Sequence, residues 1–229
     1  MRIGWVAAAG VMVASLSACQ AGVAGEIPDV GWQHTVKDTA TLAGPAEAVK
    51  IDGSAGYVRL RSGGAPGSIT VEREIHYRGT KPEGVWHRLA GPALELDGRC
   101  GTACVVSYTV TLPDRVAVHG KIDAGEFDAD KVGSLDLTMS AGSLRVRDCA
   151  GPVKAVTSVG EVDIAMSAAA DVSVKSEVGA VSLAVPGRDY AVSTHTAVGV
   201  RNGTLPDRQT GAHRIEVSTT TGAIRLDSR

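Results

Sequence analysis

The sequence predicts an all-β protein, a single-stack β-solenoid of about seven glycine-turn rungs with an N-terminal hairpin excursion. Three observations predict it. Hydrophobic residues make up 44% of the 229, yet aromatics only 3%, so the core must be aliphatic. The 28 glycines and the abundance of Val suit short strands and tight turns better than helices. The third is an internal repeat: Ser158-Val159-Gly160-Glu161-Val162-Asp163-Ile164 is echoed by Glu177-Val178-Gly179-Ala180-Val181-Ser182-Leu183. With the glycine as origin, the unit places apolar residues seven and five positions before it and two and four after it. Gly56, Gly142, Gly160, Gly179 and Gly222 fill all four places. Composition alone would give roughly one such match. Two further units are degenerate. Gly125 has Gly120 in one of the four places, and Gly199 retains only Val192.

From Gly125 onward these glycines lie 17, 18, 19, 20 and 23 residues apart, and a period near 20 marks a stacked array. Each unit reads as strand, glycine turn, strand, with period-two alternation turning one row inward. The rival architecture is an antiparallel β-sandwich, which also has short strands at close spacing. The outward rows carry a candidate surface ladder. Three residues after the glycine lie Asp128, Arg145 and Asp163, and six before it lie Asp136 and Lys154. Stacking in sequence order would bring opposite charges about 4.8 Å apart, each exposed pair contributing under about 1 kcal/mol.

From Gly63 to Leu112 the repeat lapses. Ser68 to Val71 and Val106 to Leu112 alternate as strands, and an irregular stretch from Gly79 to Gly98 lies between them. This reads as a hairpin excursion that helps to cover an open end of the stack.

At the N-terminus, Met1-Arg2 is followed by an apolar run from Ile3 to Ala14, too short to span a bilayer. Leu16-Ser17-Ala18-Cys19 then resembles a bacterial lipobox. The resemblance implies cleavage before Cys19 and a lipid on its sulfur; an ordinary signal peptide with a chance Cys is the alternative. The chain thus divides into a lipoprotein signal peptide (1–18), a lipidated Cys with a flexible tether (19–44), and a β-strand-repeat domain (45–229).

Cys100 and Cys104 could form a metal half-site, but no second Cys/His pair at ligand spacing accompanies them. In an exported chain a local disulfide is the better reading. Cys149 is left over as a small turn or core residue. The formal charge of −2 argues against nucleic acid as a partner. No Gly-x-Ser-x-Gly elbow, His-Glu-x-x-His pair or phosphate loop is present. No catalytic residue, metal or cofactor is therefore expected.

Taken as an ordered set, the lipobox, the Cys-x-x-x-Cys before a strand ending Leu112-Pro113, Val185-Pro186-Gly187 leading to Tyr190, and the Gly-x-Val-x-Ile rungs resemble the bacterial "putative adhesin" group DUF4097. The resemblance covers about residues 45–229. It departs where Glu126, Ser143, Glu161 and Ala180 stand in place of the Asp that commonly follows the glycine. It implies a right-handed β-solenoid at the cell surface, held to the membrane by its lipid. The expected function is a non-catalytic envelope module that binds an envelope protein or a glycan. The alternatives are a polysaccharide-active β-helix enzyme, with Asp128, Asp163 and Arg145 converging, and an accessory sensor of an envelope-stress system.

Overall fold

The computed structural model describes residues 31–53, 56–84, 87–113 and 115–229; the expected signal peptide and lipidated Cys19 fall outside them. Among the described residues there is no helix, and seventeen strands follow one another. They are β1 (His34–Ala43), β2 (Ala48–Asp52), β3 (Tyr57–Ser62), β4 (Ser68–Tyr77), β5 (His87–Ala90), β6 (Ala93–Asp97) and β7 (Cys104–Leu112). Two long strands come next, β8 (Ala117–Val132) and β9 (Ser134–Cys149). Then follow β10 (Val153–Val159), β11 (Val162–Met166), β12 (Val172–Val178), β13 (Val181–Val185), β14 (Tyr190–Val198), β15 (Arg201–Gly203), β16 (His213–Thr221) and β17 (Ile224–Ser228).

The strands form one large mixed sheet that does not close. Its pairings trace two ladders. The first runs β5-β6-β2-β8-β9-β10-β12-β16-β14, parallel throughout except for the β5–β6 hairpin. The second runs β1-β4-β7-β3-β8-β9-β11-β13-β17-β15, antiparallel at β1–β4–β7 and parallel beyond. The 16-residue strands β8 and β9 belong to both, bending through Gly125 and Gly142.

Alternation decides which residues meet inside. All four template positions of the Gly142, Gly160, Gly179 and Gly222 units are at most 3% exposed, from Leu135 to Leu226. Both ladders turn these rows into one hydrophobic cluster of aliphatic side chains. Each buried Val, Leu or Ile contributes about 1.5–3 kcal/mol relative to exposure.

The turning glycines stack on one another. A Cβ on Gly160 would lie 1.5 Å from the Gly142 carbonyl oxygen, and φ there is +143°. The same close approach links Gly125 to Gly56 and Gly142 to Gly125, each at 1.7 Å. Only a residue without a side chain permits backbone-on-backbone contact at that spacing.

Three differences from the sequence reading stand out. The tether assigned to 19–44 ends early, because residues 34–43 form β1 and pair with β4 along their whole length. The excursion is more than a cover: β6 and β7 stack in parallel on β2 and β3 as a further rung outside the first glycine unit. The C-terminal units stack out of sequence order, with β16/β17 inserted between β12/β13 and β14/β15. The physical reason for the last lies in the templates. Ile215, Val217, Ile224 and Leu226 are all buried and suit an inner rung covered on both sides. The Gly199 unit, with Thr194, Arg201 and Gly203 in those places, suits the end. There Leu205, fully buried, plugs the interior, and residue 208 pairs with Val192 through two backbone hydrogen bonds of 2.8 and 3.1 Å.

Candidate functional site

Parallel register lines up equivalent outward positions in columns, so a surface site here is a set of columns rather than a cleft. Six residues before the glycines, the first ladder aligns His119, Asp136, Lys154, Ser173, Glu216 and Ser193. Lys154 Nζ reaches Asp136 Oδ2 at 3.6 Å, with both side chains about 60% exposed. Water screens such a pair, and it contributes under about 1 kcal/mol. The column borders a groove of about 420 Å³ that crosses several rungs. Its polar rim comprises His119, Asp136, Lys154, Asp171, Arg214 and Glu216. The Arg214 backbone N–H donates to Asp171 at 2.8 Å, and His213 Nδ1 lies 3.7 Å from the exposed carboxylate.

Three residues after the glycines, the second ladder aligns Asp128, Arg145, Asp163, Ser182, Arg225 and Asn202. Arg145 Nε lies 3.8 Å from Asp163 Oδ2. Asp128 is a register neighbour of Arg145 but does not join that pair. It is only 7% exposed and takes Arg147 at 2.7 Å and Arg61 at 3.5 Å instead. The same two guanidiniums clasp Asp130, at 2.9 Å from Arg147 and 3.3 Å from Arg61. The Arg147 hydrogen bond, with both arginines' charges, holds the Asp130 carboxyl below the usual range.

Sequence reasoning missed this network of two arginines and two aspartates. Its signal was present: Arg61, Asp130 and Arg147 each stand five residues after Gly56, Gly125 and Gly142.

The arrangement bears on catalysis. Glycoside hydrolysis needs one carboxyl kept protonated at working pH beside a second carboxylate. The carboxyls of Glu74, Glu95, Asp97, Asp130, Asp148 and Asp227 are all held below the usual range, each first by a hydrogen bond from a neighbouring side chain. Among the described residues no group of three or more His, Cys, Asp or Glu could hold a metal ion.

Cys100 and Cys104 form a disulfide that closes the turn from β6 into β7. Cys149 is fully buried, and burial pushes its thiol up, away from nucleophilic reactivity.

Comparison with known proteins adds a fold likeness. No family model matches the chain, and no curated protein matches it in sequence. Among solved structures, a "putative cell adhesion protein" of Clostridium sporogenes is 17% identical, with a TM-score of 0.52. The match covers 86% of this chain and all of that one. A "putative adhesin" of Bacteroides fragilis is 8% identical with a TM-score of 0.41, over 86% of this chain and 98% of that one. A "putative lipid binding protein" of Parabacteroides distasonis is 9% identical with a TM-score of 0.31, over 87% and 98%.

Proposed function

We propose, from that likeness and the surface columns, that the chain is a non-catalytic binding module of the bacterial cell envelope. In this reading it is a right-handed β-solenoid anchored through a lipid on Cys19. The parallel register from β6 to β14 and from β7 to β15 supports the solenoid over a sandwich, whose packed sheets are antiparallel. The disulfide supports an oxidising, extracytoplasmic location. The name of the Clostridium relative suggests surface recognition as the role.

The groove beside the Asp136–Lys154 pair carries the binding assignment. Its rim charges are exposed and weakly paired, in contrast to the clasped Asp128 and Asp130, so they can exchange partners at little cost. Mixed signs on a shallow groove suit a protein segment of complementary mixed charge. A photo-crosslinking amino acid at Ser173, within the groove, should give discrete adducts in intact cells, and Lys154→Glu should weaken them while the fold is retained. A membrane-protein adduct would identify an envelope complex. Absence of adducts from Ser173, or adducts indifferent to Lys154→Glu, would contradict the assignment.

A further inference from the structure

Three residues before each glycine, a column of side chains points into the core. In stacking order it reads Ile122, Met139, Thr157, Ser176, Thr219 and Thr196. Halfway along, it changes from apolar to hydroxylic. Thr157, Ser176 and Thr219 are each 2% exposed, and Thr196 in the end rung is half-buried.

The hydroxyls at the outer end find carbonyls. Thr196 Oγ1 donates to the Gly222 carbonyl at 3.0 Å, and Thr219 Oγ1 to the Gly179 carbonyl at 3.5 Å. One and two rungs further in, Ser176 Oγ and Thr157 Oγ1 are buried with no hydrogen-bond partner in the protein. The contact thus lengthens from the end rung and then fails. Nor do the two orphans, register neighbours on adjacent strands, bond each other. Their strands lie about 4.8 Å apart, a spacing that leaves room for one small polar bridge between the two side chains. A single oxygen about 2.8 Å from each would bridge them.

The geometry points to a bound water inside the glycine corner, between Thr157 and Ser176. The water donates to and accepts from the two hydroxyls. Met139 bounds it on the inner side, 1% exposed, and Thr219 and Thr196 lead outward to the end rung. The large majority of buried side-chain polar atoms in folded proteins have a hydrogen-bond partner, and buried waters make about three hydrogen bonds each. The alternative for the same atoms is a pair of unsatisfied hydroxyls, for which removal would be a gain.

That difference in sign makes the test. Thr157→Val is nearly isosteric. If water is held there, the variant strips one of its partners and the melting temperature of the full chain should fall by about 2–4 °C. A rise would overturn the proposal, because it would show an orphan hydroxyl relieved by a methyl. Oxygen-17 relaxation dispersion of water counts long-lived waters without interference from hydroxyl exchange. Its amplitude should drop in Thr157→Val/Ser176→Ala, and an unchanged amplitude would also overturn the proposal. Should the variants fail to fold, an atomic-resolution map of the unsubstituted chain decides. Density between Thr157 Oγ1 and Ser176 Oγ is expected; direct bonds from both hydroxyls to glycine carbonyls, with no density between, would refute it. Stability that differs between sodium, potassium and choline salts at equal ionic strength would replace the water by a monovalent cation.

Discussion

Gly160 and Gly187 separate two reasons for a glycine. At Gly160 the missing Cβ would fall 1.5 Å from backbone; at Gly187, φ is +72° and a Cβ would meet nothing within 4 Å. Gly187→Ala should therefore cost about 1–2 kcal/mol, the left-handed penalty alone. Gly160→Ala should cost more than about 4 kcal/mol, because the rungs themselves must separate. Urea titrations of the two variants check this, and equal costs would contradict glycine stacking. Asp130 gives a pH prediction. Its carboxyl is lowered in the folded chain, so it contributes stability above the ordinary carboxylate pKa, and that stability is lost as pH falls through the folded value. Arg147→Ala should flatten the stability profile below about pH 5 while changing its shape little near pH 7. An unaltered acid limb would show that the clasp does not set the titration. At this scale the inward rows were legible in the sequence, because alternation around a glycine admits one burial pattern. The Arg61–Asp130–Arg147 network was not legible, because three charges five residues after separate glycines meet only once the strand register is known.

Among the elements, the turn between β6 and β7 is held covalently. Replacing Cys100 and Cys104 together by Ser should lower stability by about 2 kcal/mol, the chain-entropy value for so small a loop, with Tm as the readout. No change in Tm would show that packing of Leu94, Leu96 and Tyr108 already fixes the turn. The β1 strand illustrates what the sequence hides. His34–Ala43 alternates exposed with half-buried positions and carries few large apolar residues, as an edge strand does. It reads as tether until its partner is known. Lys37 paired with Glu74 at 2.9 Å, and Arg73 with Asp38, place charge along this edge, a device that blunts edge-to-edge association.

For the whole molecule, the all-β class was legible because alternating aliphatics around glycines recur with nearly constant spacing. Rung order was not, since sequence order is the default and the contrast between the apolar Gly222 template and the polar Gly199 template acquires its meaning only from the register. The envelope reading rests on Cys19: a Cys19→Ser chain should lose lipid labelling and leave the membrane fraction, whereas unchanged retention there would remove the anchor. The stack itself is tested most directly by rung order at the C-terminal end. In the structure Lys175 is the register neighbour of Ser218, and Ser218 of His195. Pairwise cysteine substitution at these three positions, with oxidative crosslinking of the folded chain, should link 175 to 218 and 218 to 195. A 175–195 link without the other two would restore simple sequence order, and no links at all would contradict the parallel stack.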